Sequence, residues 1–255
     1  MFKILPLLPS IFLFIIFITS CGAELTANSN LIGGEPVHPY EYRETVRLFM
    51  DRGSCTGVVV GPRVLLTAAH CVETSDVKFQ AYNRMIYYAT CHLAPGYKRS
   101  VGDQDIAICI LDKVHPPPYA SIATSGPELE EDVILMGYGC TEPDTGRGGN
   151  DGILRKGVVK VVRLPQGNNH SFYTHGDVAL CFGDSGGPSY LISKNGDHIV
   201  IGVNSRGDIR KLSLMTSVWH PETLEFLARF ESATSYKICG LGAICEYREK
   251  KPHCG

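Results

Sequence analysis

From Glu44 onward the chain falls into short β-favouring runs, each broken by Gly, Pro or Asp. Thr45–Met50, Gly57–Val60, Val64–Ala68, Ile106–Leu111, Val133–Met136, Val158–Val162 and Ile199–Val203 are examples. Many short strands at close spacing predict an all-β barrel or sandwich. One helix is expected, starting at Pro221, a residue suited to a first helical turn. Leu224, Leu227 and Phe230 then recur at helical spacing, with Glu222, Glu225 and Arg229 between them. The 255 residues suit one or two domains, and 44% hydrophobic content allows a sizeable core. A formal net charge of −2, with no Lys/Arg cluster among aromatics, argues against a nucleic-acid partner or a strongly charged substrate. No internal repeat is visible.

Residues 1–20 read as a removable signal peptide. Lys3 gives a minimal positive start, and Ile4 to Ile18 are almost wholly apolar. That run is short for a membrane-spanning helix. Ile18-Thr19-Ser20-Cys21-Gly22 resembles the bacterial lipoprotein box, which implies lipidation at Cys21 and membrane anchoring. Ordinary cleavage nearby, for example after Gly22, is the alternative. Residues 21–30 are polar and aperiodic, a propeptide or tether. The expected location is secreted or cell-envelope, including an outer-membrane lipoprotein. Ten cysteines in an exported chain point to disulfides. With Cys21 lipidated or removed, nine remain and one is unpaired; with Cys21 retained, the count is even.

The chemistry centres on Gly183-Asp184-Ser185-Gly186-Gly187-Pro188. A serine alcohol is a poor nucleophile. It needs a base for its proton and amide donors for the oxyanion it creates. Glycines let the backbone turn N–H groups toward one point without a side chain in the way. A base stands in Thr67-Ala68-Ala69-His70-Cys71, and a carboxylate in Asp105-Ile106-Ala107-Ile108. Together with Leu31-Ile32-Gly33-Gly34, these blocks resemble the trypsin/chymotrypsin family of serine endopeptidases. The order His, Asp, Ser matches that family, and the similarity runs from about Leu31 to about Phe230.

The resemblance implies two antiparallel β-barrels packed side by side, with a C-terminal helix and here a short Cys-containing tail. Residues 31–233 would form the protease domain and 234–255 the extension, with Pro116-Pro117-Pro118 through Pro127 crossing between barrels. Ser185 would attack a peptide carbonyl. His70 would take and return its proton, and Asp105 would hold the imidazole. Asp103, two residues earlier, is the competing carboxylate. Gly183 and Ser185 N–H groups would form the oxyanion hole. The family also implies Cys55–Cys71. Cys140 follows Gly137-Tyr138-Gly139, which resembles the family's Gly-Trp-Gly, so Cys140–Cys181 is expected. Cys91 and Cys109 fall on runs read as neighbouring strands, which suggests a third bridge. Cys239, Cys245 and Cys254 are left in the tail. Cys239 to Cys245 reads either as the opening of an EGF-like module or as a disulfide-pinned extension, the reading preferred here.

Activation in the family frees an aliphatic α-amine that pairs with the aspartate before the nucleophile. Leu31 and Asp184 match those positions. Asn30 stands where many zymogens carry Arg or Lys, so the activating protease that cuts after Asn30 would not be trypsin-like. Ala179 matches the base of the specificity pocket, Gly207 its mouth, and Ser213 a wall. These imply an apolar residue before the scissile bond, medium or large. A shifted loop bringing in Asp177 or Asp208 is the competing reading. Ser205–Gly207 would pair with substrate backbone, with Arg206 where the family commonly has Trp. No cofactor is expected and, with no calcium loop after Cys71, no metal. The remaining histidines read as surface or packing residues. The leading function is an exported serine endopeptidase acting on proteins or peptides; the alternative is a non-catalytic binding or regulatory protein on the same fold.

Overall fold

Val64–Thr67 is buried throughout, whereas other strands alternate inward and outward side chains, as a half-buried sheet demands. Val77 and Phe79 are buried while Lys78 and Gln80 are exposed. The structure is a computed structural model that describes residues 31–50, 53–72, 77–100, 103–142, 151–243 and 245. The signal and tether segments, Cys21, Asn30 and Cys254 lie outside the described residues. After a two-residue strand β1 (Glu35–Pro36) come β2 (Thr45–Phe49), β3 (Ser54–Gly61), β4 (Val64–Thr67), the single turn α1 (Ala69–Val72), β5 (Val77–Gln80), β6 (Ile86–Leu93) and β7 (Ala107–Leu111). Strands β2-β3-β4-β7-β6-β5 form a closed antiparallel barrel. Leu48, Val58, Leu66, Phe79, Tyr87 and Ile108 are fully buried in the core.

The second barrel follows a linker that carries β8 (Ser121–Ile122). Its strands are β9 (Asp132–Gly137), β10 (Arg155–Arg163), β11 (Ser171–His175), β12 (Pro188–Ile192), β13 (His198–Gly207) and β14 (Leu212–Ser217). The order β10-β11-β14-β13-β12-β9 closes through pairing of β9 with β10. Strand β1 adds to β10, and β8 runs parallel to β13. The fold is thus all-β with two barrels, as the sequence predicts. Strand β1 precedes the expected start at Glu44; it is a two-residue edge pairing that includes a proline, which has no N–H for a ladder.

Helix α2 (Pro221–Thr234) opens with Pro221 and buries Leu227 and Phe230. Ser235, in left-handed conformation, stops it by donating its N–H to Glu231 O. The tail then returns to the first barrel. Cys239 donates its N–H to Val60 O, and its carbonyl accepts the Ile122 N–H, both at 2.8 Å. Ile238 and Cys239 are fully buried, and Cys239 pairs with Cys245. Cys55–Cys71, Cys91–Cys109 and Cys140–Cys181 are the other disulfides among the described residues. Cys91 and Cys109 face each other across β6 and β7.

The barrels meet through polar contacts as well as apolar ones. Tyr190 OH lies 3.1 Å from Thr45 Oγ1 and donates to Glu44 Oε1 at 3.2 Å. Thr56 N–H donates to Ser185 O and Thr56 Oγ1 to Gly183 O, each at 2.8 Å. These last two bonds join the first barrel to the loop that carries the serine.

Candidate active site

His70 sits on the single turn after β4. That turn is pinned by the Cys71 N–H donating to Ala68 O at 3.1 Å and by the disulfide to Cys55. His70 donates its backbone N–H to Asp105 Oδ1 at 3.0 Å, and its Nδ1 lies 2.7 Å from Asp105 Oδ2. Ser205 Oγ donates to the same Oδ2 at 2.6 Å, and Thr216 Oγ1 to the Asp105 carbonyl at 3.2 Å. Burial opposes ionisation of Asp105, but the hydrogen bonds and charge of His70 and the Ser205 hydroxyl outweigh it. Its carboxyl is held below the usual range. An ionised carboxylate fixes the proton on Nδ1 and leaves Nε2 free to act as a base.

Ser185 lies half-buried in the loop leading to β12. Its neighbour Gly186 has φ +83, and a Cβ there would come within 2.0 Å of Thr67 Oγ1 and 2.3 Å of Thr56 O. Only glycine lets this loop press onto the strands that lead into His70. Cys71 Sγ is 3.7 Å from Ser185 O and 3.8 Å from His70 Nε2, so the two residues flank one sulfur. Among the described residues the Ser185 hydroxyl makes no hydrogen bond to His70. Such bonds are often loose without substrate and tighten when it binds. The N–H groups of Asp184, Gly186 and Gly187 all have acceptors. Those of Gly183 and Ser185 meet none among the described residues, which leaves both available to an oxyanion.

Behind the loop, Asp184 is fully buried and accepts N–H bonds from Gly139 and Cys181, each 2.8 Å. Burial pushes its carboxyl up to about 7 despite those bonds and the positive charge of Arg155. A Cβ on Gly137 or Gly139 would come within 2.0 or 2.5 Å of that carboxylate, so Gly137-Tyr138-Gly139 is the space it occupies. Leu31 is also fully buried. Ile32 and Ala179 exchange two backbone hydrogen bonds, at 3.2 and 3.0 Å. The segment following Leu31 is therefore inserted beside the loop before the serine.

Ala179 and Ser213 are fully buried, and Ser213 Oγ accepts the Leu180 N–H at 3.1 Å. Gly207 faces Ser213 across β13 and β14. Asp177 is turned to solvent beside Lys211 Nζ at 3.5 Å. Asp208 accepts the N–H groups of Arg210, Lys211 and Leu212. Both carboxylates thus already have partners. The side chain of Ser205 faces Asp105, which leaves its main chain for any substrate contact. Cys55, His70 and Cys71 cluster closely enough to suggest a metal, but the two sulfurs are bonded to each other and offer no thiolate.

A family model described as Trypsin matches residues 31–218. The chain belongs to the trypsin family. It is 27% identical to a trypsin-like protease of Streptomyces glaucescens, over 73% of this chain and 76% of that protein. It is 23% identical to chymotrypsin-C of Bos taurus, over 76% and 85%. It is also 29% identical to the cercarial protease of Schistosoma mansoni, over 68% and 78%. Within this trypsin-family domain, sequence reasoning missed the supporting residues Thr56, Thr67 and Thr216 and the side-chain role of Ser205. Their signal was a polar residue at a buried strand position, where a hydrogen-bond partner is obligatory.

Proposed function

We propose that this trypsin-family chain is an exported serine endopeptidase, made as a zymogen, that cleaves peptide bonds through an acyl-enzyme. The observation that carries the reading is one chain of hydrogen bonds, Ser205 to Asp105 to His70, beside amides of Gly183 and Ser185 that meet no acceptor among the described residues. His70 Nε2 removes the Ser185 proton as Oγ bonds to the substrate carbonyl carbon. The carbonyl oxygen takes the negative charge in front of Gly183 and Ser185 N–H. His70 then gives the proton to the leaving amine, and water repeats the sequence to release the acid. One oxyanion donor is worth about 3 kcal/mol in such a transition state.

The family resemblance assigns Ala179 to the base of the pocket for the residue before the scissile bond, Ser213 to a wall and Gly207 to the mouth. With Asp177 and Asp208 both already partnered, an apolar side chain suits it better than Arg or Lys. Cleavage after Asn30 by a separate protease would free the Leu31 amine for Asp184. Lipidation at Cys21 would anchor the protein to a membrane; among the described residues no helix is long and apolar enough to cross one.

A fluorophosphonate probe tests the activity on protein cut after Asn30. Labelling that Ser185→Ala and His70→Ala both abolish is expected, with peptides carrying Leu or Phe before the scissile bond cleaved at least ~10-fold better than those carrying Arg. A folded, correctly cut protein that never labels would instead favour the binding or regulatory reading. Preference for Arg would remove the pocket assignment alone.

A further inference from the structure

A second polar cluster reaches Asp105 along the chain. Asp103 and Gln104 immediately precede it, and His170 leads into β11. His170 is buried. Its Nδ1 lies 2.9 Å from Asp103 Oδ1, and its Nε2 lies 3.0 Å from Glu222 Oε2 in the first turn of α2. Gln104 threads the same cluster. Its Oε1 accepts the Gly96 N–H at 2.8 Å, while its Nε2 donates to Glu222 Oε2 at 2.7 Å and lies 2.8 Å from His170 Nε2. Asp103 Oδ1 also accepts the Gln104 N–H at 3.0 Å. The ring of His220, at the N-cap of α2, is centred 4.1 Å from that of His170.

The backbone shows what this cluster holds. Gln104 has φ +45, a left-handed conformation that a non-glycine residue keeps only when its surroundings enforce it. The Ile106 N–H closes the turn onto Gln104 O at 2.7 Å, with Asp105 in the middle. The His170 carbonyl accepts the Ser217 N–H at 2.8 Å, next to Thr216, which holds the Asp105 carbonyl. The 103–105 turn is therefore gripped from the end of β14 and from α2, though it belongs to the first barrel.

We propose that His170 is a positioning residue for Asp105. It ties the 103–105 turn to the second barrel and to α2, and so keeps the carboxylate in line with His70. The inference rests on the triad reading above. The groups that face its ring are Asp103, Glu222, His220 and the neutral Gln104. The ring thus ties Asp103 on one edge to Glu222 and the Gln104 amide on the other.

Kinetics across pH 5 to 10 on the cut protein, with His170→Ala and Glu222→Gln, test this. A proton NMR measurement of the His70 Nδ1–H signal in a Ser185→Ala background accompanies them. His170→Ala should lower kcat by about 10–100-fold, the scale of a small misalignment, with KM little changed. It should move the acid limb of kcat/KM to lower pH, because an imidazolium with a loosened carboxylate releases its proton more readily. The downfield His70 signal should broaden or shift. Glu222→Gln, at an exposed site, should give a smaller fall in kcat and an unchanged melting temperature. A folded His170→Ala protein with unaltered kcat, pH limb and NMR signal overturns the proposal. If His170→Ala does not fold, unchanged kcat and His70 signal in Glu222→Gln overturn it instead. Absence of turnover in every protein sinks the triad reading, and the NMR signal then decides the positioning role.

Discussion

At the scale of single residues, His115 departs furthest from what its side chain prefers. It is fully buried against Phe79 and Tyr87, and among the described residues neither ring nitrogen meets a hydrogen-bond partner. Burial pushes its proton affinity down to about 4, only partly opposed by the neighbouring Pro116 backbone. A histidine depressed in this way contributes its full stability above the unfolded value near 6.5. Stability then falls as pH drops from there toward 4, by about 3 kcal/mol in all. Replacing it by leucine should abolish that share of the acid sensitivity, read as urea unfolding free energy at pH 7 and pH 4.5. Equal pH slopes in the two proteins would contradict the assignment. The sequence treats this histidine as surface or packing, because an isolated His carries no local sign of its burial. Ser185, His70 and Asp105 stood out as candidates for the opposite reason: each stands in a block of residues that the fold keeps together. Gly186 must be glycine to approach Thr67, and Cys71 must pair to hold His70.

At the scale of elements, the tail of the chain acts as a strap across the first barrel. Ile238 is buried, and Cys239 bonds Val60 on one side and Ile122 on the other. A Cβ on Gly61 would meet the Lys237 carbonyl at 2.1 Å, so the approach requires that glycine. Cutting the chain after Ser235 should destabilise the domain by about 3–5 kcal/mol, from one buried isoleucine and two backbone hydrogen bonds. Exchanging both Cys239 and Cys245 for serine should cost about 2 kcal/mol, since the loop they close is short. Denaturant midpoints of the two proteins separate these contributions; a truncated protein as stable as the full chain would show that the strap carries no load. Strand runs such as Ile106–Leu111 and Val133–Met136 were readable because a buried barrel strand is apolar almost throughout. The docking of the tail was not readable. It depends on main-chain groups of Val60 and Ile122, which any sequence supplies.

At the scale of the whole molecule, one buried carboxylate would couple the proposed maturation to stability and to the loop that carries Ser185. In the full chain Asp184 accepts two backbone N–H bonds, and burial raises its carboxyl to about 7. An acid raised this far is protonated and comfortable below pH 7. Above it, the folded chain must bury an ion that the unfolded chain keeps in water, so stability contributed at low pH is lost as pH rises through 4 to 7. Three units correspond to about 4 kcal/mol. The proposed cleavage after Asn30 would supply an ammonium at Leu31, which would favour the ionised form and offset that cost. The cut protein should therefore melt higher than the uncut one at pH 8, by up to about 4 kcal/mol, with the advantage shrinking toward pH 5, where Asp184 in the uncut chain is already protonated. Calorimetry of both forms at the two pH values measures this directly. An advantage independent of pH would mean that the new terminus stabilises the fold through something other than Asp184. In that case amidating or acetylating the Leu31 amine would leave activity intact, whereas the coupling argued here requires that blocking it abolish labelling of Ser185.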